Sequence, residues 1–105
     1  MDESDWKAFR RIVPEVRERY IQKRNAEIKA LLEDSDLSHT ETFWNVHEKV
    51  TKEADILQSC LDGHRRSRIT AFIFEMLDAG LMDLGDLPVF SSELQDRAKF
   101  WYEGR

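Results

Sequence analysis

FWNVHEKVTKEADILQSCL, residues 43–61, sets Phe43, His47, Val50, Ala54, Leu57 and Leu61 at spacings of four, three, four, three and four. That is a heptad seam, the spacing that keeps one stripe of a helix against a partner helix. Five of the six positions are apolar; the sixth is His47, read as a core histidine with one ring nitrogen hydrogen-bonded. Trp44, Val46, Ile56 and Cys60 widen the buried face. Ser38-His39-Thr40-Glu41 precedes the seam and reads as a capping box, a hydroxyl at the N-cap and a carboxylate three residues on. Asp62-Gly63 reads as the stop.

Outward from this helix, Trp6, Phe9, Val13, Val16 and Tyr20 recur at threes and fours, and Ile28, Leu31 and Leu32 carry the stripe on. Ser4 reads as its N-cap, with Asp5 in the first turn where it favours the helix dipole. Pro14 interrupts the pattern at a cost of ~3 kcal/mol, so the expectation is a kink, or a short helix followed by a long one. Residues 34–37 are the connection. Ile69, Phe72, Ile73, Met76 and Leu77 make a third stripe, with Gly80 placed as its C-terminal cap. Residues 81–88 read as a loop with a helical turn. Ser91 or Ser92 caps a last helix holding Leu94, Ala98 and Trp101. The predicted fold is all-α, a small helical bundle. Two long antiparallel helices, roughly 5–33 and 38–62, are closed by a third and a short fourth.

Composition agrees. Only four Gly and two Pro in 105 residues leave little material for turns, which favours few long helices over many short strands. Length and 41% hydrophobic residues suit a single helical domain, 1–105, with its own core. Cys60 is the one cysteine, so a disulfide scaffold is excluded. Residues 1–5 are acidic and without an apolar stretch, so no leader is expected, and the longest apolar run, 71–74, is far too short for a membrane span. A cytoplasmic setting is the expectation. The net charge of −5 is unevenly spread. Residues 34–62 are acidic, whereas 63–70 carry Arg65, Arg66 and Arg68 and no acid.

That basic turn, with His64, suits a phosphate, a carboxylate or an acidic protein patch, because the planar guanidinium fork binds oxyanions in pairs. Arg17 and Arg24, seven apart on the first helix, extend it into a candidate basic groove. The plainer reading pairs these arginines with the chain's own carboxylates. His39, His47, Cys60 and His64 lack the spacing of a metal site. Residues 60–67 spell Cys-x5-Arg-Ser, the string of the phosphate-cradling loop of cysteine phosphatases. That loop follows a strand, whereas Cys60 ends a helix, so a buried, inert thiol is the better reading.

No catalytic constellation and no cofactor motif emerges. Phe72 and Phe74 cannot share one helix face, nor can all of Phe100, Trp101 and Tyr102, so apolar surface is left for a homodimer or another partner. The expectation is a non-enzymatic interaction or regulatory module. Its protein partner would be held by His64, Arg65, Arg66, Arg68, Arg17 and Arg24 and by exposed aromatics. Nucleic-acid binding through Arg65, Arg66 and Arg68 is the alternative; a thiol- or metal-dependent small enzyme ranks below both.

Overall fold

A computed structural model describes residues 3–104. The order is α1 (Glu3–Leu32), α2 (His39–Leu61), a 3-10 turn (Arg66–Arg68), α3 (Ile69–Ala79), a 3-10 segment (Leu84–Val89) and α4 (Ser92–Glu103). There is no strand among the described residues, and the fold is the small all-α bundle expected.

The local signals act as the chain's chemistry dictates. Ser38 Oγ accepts from the Glu41 N–H at 3.1 Å, and Glu41 Oε1 accepts from the Ser38 N–H at 3.1 Å, completing the capping box. Gly80 closes α3 at φ 82°, a left-handed conformation that only glycine enters cheaply. The Leu81 N–H returns to the Met76 carbonyl and the Gly80 N–H to that of Leu77, which is the Schellman motif. α1 begins at Glu3, so Ser4 lies in its first turn and is not its cap. The chain stays α-helical through Pro14. Pro14 and Arg10 are both exposed, so the carbonyl that the missing N–H leaves unpaired is on the solvent side.

The core occupies one end of the molecule. The buried residues of α1 all lie between Asp5 and Tyr20, and α2 contributes one, Cys60. Phe9, Val16, Ile69, Ile73, Met76 and Leu87 are sealed from solvent between α1, α3 and the 3-10 segment. From residue 21 to residue 59 no side chain is buried. That half of the α1–α2 hairpin projects from the core, giving extents of 52 × 26 × 20 Å and a radius of gyration of 16.5 Å. A compact chain of this length has about 13 Å.

This corrects the seam reading. α2 does not turn Phe43, His47 and Val50 toward α1; all three are exposed. The partly buried stripe is Val46, Lys49, Glu53 and Ile56, ending at buried Cys60, a second run at threes and fours rotated about 90° from the first. The reason is electrostatic. Lys49 Nζ pairs with Glu27 at 2.6 Å, Arg24 Nε lies 3.2 Å from Glu53, and the Tyr20 hydroxyl donates to Glu53 at 2.5 Å. Facing these groups across the hairpin keeps partly buried charges paired. Arg24 Nε is nonetheless misaligned for a hydrogen bond. Only the far end of the seam, Leu57 and Leu61, packs on the core. His47 is accordingly no core histidine; its ring lies edge-on to Trp44 at 5.7 Å.

Two polar contacts hold the small elements against α1. Asp5 is 3% exposed, and its two carboxylate oxygens accept from the Ser91 N–H and the Ser91 hydroxyl, both at 2.6 Å. Ser91 Oγ in turn accepts from the Leu94 N–H as the N-cap of α4. One buried carboxylate thus ties the first turn of α1 to the start of the last helix. Arg19 donates to both oxygens of Asp86, at 3.0 and 2.6 Å, and to the Leu81 carbonyl at 3.1 Å. Asp86 also accepts from the Asp83 N–H, capping the 3-10 segment.

Replacing Asp5 with Ala leaves the partly buried Ser91 N–H and hydroxyl without their acceptor, so urea unfolding should show a loss of about 3 kcal/mol. Asp96→Ala, on the exposed face of α4, should stay within about 0.5 kcal/mol of wild type. Burial alone would raise the Asp86 carboxyl, but the Arg19 hydrogen bond and the Asp83 N–H outweigh it and hold it below the ordinary 3.8. A depressed carboxyl stabilises the fold above its unfolded-state value, and that contribution disappears as pH falls through the folded-state value. Between pH 7 and pH 3, wild type should therefore lose more stability than Arg19→Met, measured by urea midpoints.

Candidate functional site

The basic turn is built from a glycine and two 3-10 hydrogen-bonding positions. Gly63, at φ 72°, turns the chain out of α2, and the Arg68 N–H closes on the Arg65 carbonyl. His64 is half-buried and faces inward. Its Nε2 lies 2.7 Å from the Cys60 carbonyl; a carbonyl only accepts, so Nε2 carries the proton. The ring sits edge-to-face between Phe9 and Phe72, at 4.8 and 4.5 Å. His64 is thus a packing piece that fastens the turn to α1 and α3.

The arginines expected at one site are dispersed. Arg66 pairs with Glu3 at 2.9 Å. The Arg68 guanidinium lies 5.9 Å from the centre of the Phe72 ring. Arg65 is exposed, and its guanidinium makes no hydrogen bond or ion pair among the described residues. Arg17 is exposed, and its Cα lies about 21 Å along α1 from that of Glu3. Arg24 is about 31 Å from it by the same rise, held by Glu27 at 3.0 Å and stacked 4.3 Å over Tyr20. These groups form no common basic groove with the turn.

The thiol chemistry spelled by Cys-x5-Arg has no setting here. Cys60 lies in α2, 3% exposed, with its Sγ 3.9 Å from the Glu75 carbonyl. Burial, together with the charges of Glu75 and Asp78, pushes its pKa up, the opposite of what a nucleophilic thiolate needs. His39, His47, Cys60 and His64 do not converge; no group of three His, Cys, Asp or Glu side chains that could hold a metal occurs among the described residues.

What the sequence placed in the core lies instead on the surface. Leu32, Phe43, Trp44 and Val50 are 62, 63, 59 and 47% exposed. Phe43 and Trp44 meet edge-to-face at 5.1 Å, and Leu32, Leu37 and Phe43, with Glu33, Asp34 and His39 among the polar part of the lining, border an open hollow of about 490 Å³ at the hairpin tip. The opposite side of the hairpin is polar: Asn45, Glu48, Lys49, Lys52 and Glu53 line a hollow of about 310 Å³ with Leu31. The seam spacing was the signal for this face, but it gave no direction. A smaller apolar surface lies on α4, where Phe100 is 83% exposed beside the stacked pair Phe74–Trp101, 4.7 Å apart.

No helix among the described residues is long and apolar enough to cross a membrane. No protein-family model, curated protein or solved structure matches this chain.

Cys60 should react with a thiol-specific disulfide reagent at least tenfold more slowly in the folded protein than in urea. Cys60→Ala should leave the helical circular dichroism signal intact.

Proposed function

We propose that this chain is a non-enzymatic helical interaction module that binds a protein partner, chiefly through the exposed face of the α1–α2 hairpin and secondarily through the basic turn. One observation carries the reading. Leu32, Phe43, Trp44 and Val50 lie bare on a part of the chain where no residue is buried. Water-exposed aromatics grouped on one face are the composition of an interface core, and burying one such side chain is worth about 2 kcal/mol. Arg65 is the open charge of the basic turn, about 27 Å or more along α2 from Phe43, and is suited to a carboxylate at a second, separate contact. The nucleic-acid alternative draws less support, because Arg66 and Arg24 already face carboxylates and no aromatics interleave with the arginines as stacking platforms.

The test is capture from native lysate, with and without nuclease, on immobilised wild type, Phe43→Glu/Val50→Glu and Arg65→Ala/Arg66→Ala/Arg68→Ala. A defined protein should be retained by wild type in the presence of nuclease. The face variant should lose it by tenfold or more, and the arginine variant by less. Equal retention by wild type and the face variant would sink the proposal, and recovery that collapses with nuclease would favour nucleic acid.

A further inference from the structure

We infer that the partner of the hairpin face is a second copy of this chain, two hairpins packing face to face into a four-helix bundle. The inference rests on reading that face as a docking surface and names its occupant.

Three observations single out a second copy. The first is the seam itself. Phe43, His47 and Val50 keep heptad spacing, yet the core takes up this stripe only from Leu57 onward. Heptad spacing is what a helix needs to pack along another helix at a shallow angle, and it has no value to a stripe left in water. The second is charge. At about 100° per residue, roughly 120° of α2, from Val50 round through Phe43, Ala54 and His47 to Thr51 and Trp44, carries no Asp, Glu, Lys or Arg. All the charges of α2 lie on the remaining arc. A two-fold contact sets a patch against itself, so a charged patch would meet its own sign. This arc meets none. On α1 the same side presents Ile21, Ile28 and Leu32, spaced by seven and four, which makes the face two helices wide. Arg17 lies one turn before Ile21, at its margin.

The third is area. The chain exposes 7110 Å². A compact monomer of 12.4 kDa exposes about 6,100 Å². The surplus of about 1,000 Å² compares with the roughly 800 Å² that each partner contributes to a stable interface. Two helices alone cannot enclose a core, whereas two such hairpins can. Because the contact is isologous it closes at two copies and does not propagate.

Sedimentation equilibrium of the purified full chain tests this from micromolar to submillimolar concentration. Wild type should sediment at twice the 12.4 kDa chain mass. Phe43→Glu/Val50→Glu should raise the dimer dissociation constant at least tenfold with unchanged far-ultraviolet circular dichroism, since both side chains lie outside the core. Lys52→Glu, on the polar side of α2, should leave the dimer intact. A wild type that is monomeric throughout overturns the inference. So does a dimer that persists in the face variant, which would place the contact elsewhere. If wild type is monomeric but its lysate partner is lost on Phe43→Glu/Val50→Glu, the docking face stands and only its self-association fails.

Discussion

α1 is 30 residues long, about 45 Å, and its buried side chains stop at Tyr20. The remaining structure follows from that mismatch between the length of one helix and the size of the core it serves. The first half of α1 is the wall on which α3, the 3-10 segment and α4 assemble. The second half has no such cover, and α2 is its one neighbour for most of its length. A helix this far beyond its core keeps its shape through its own hydrogen bonds and a line of cross-hairpin ion pairs, and isolated helices are marginal in water. The projecting half is therefore where an added partner stabilises most.

The two halves are held by different chemistry. At the base, apolar side chains are sealed and the few buried polar groups are fully bonded. Asp5 is the clearest case, both of its oxygens spent on Ser91, so that the helix nearest the N-terminus positions the helix nearest the C-terminus. Arg19 does the same for the 3-10 segment through Asp86. In the projecting half the contact between helices is largely ionic, through Arg24, Glu27, Lys49 and Glu53. Most of these charges are partly buried, and leaving one of them unpaired costs more than a pair contributes, which keeps them on the side of α2 that faces α1. By satisfying the charged stripe inward, they leave the uncharged stripe outward.

That choice links packing to the proposed function. Had the apolar seam faced α1, the hairpin would have been self-contained, with its charges in water and nothing to offer a partner. With the charges inside, the hairpin presents Leu32, Phe43, Trp44 and Val50 on one side and polar groups on the other. The basic turn, conspicuous in the sequence, is in part structural: His64 packs between two phenylalanines and Arg66 is paired with Glu3.

The sequence by itself determined the local structure. The Ser38–Glu41 capping box, the glycine closing α3, the serine capping α4 and the apolar stripe of α3 depend on neighbours within a few residues, and each is where the residue pattern puts it. The all-α class followed from the same short-range signals. The orientation of α2 was decided only by tertiary structure, because residues 42–61 contain two overlapping stripes at helical spacing, and spacing alone cannot say which one meets α1. Side chains 22 to 33 positions away, Glu27 for Lys49 and Arg24 and Tyr20 for Glu53, broke that tie. The roles of Asp5 and Arg19 were hidden for the same reason. Their partners, Ser91 and Asp86, lie 86 and 67 residues along the chain, and no local pattern carries a contact over that distance.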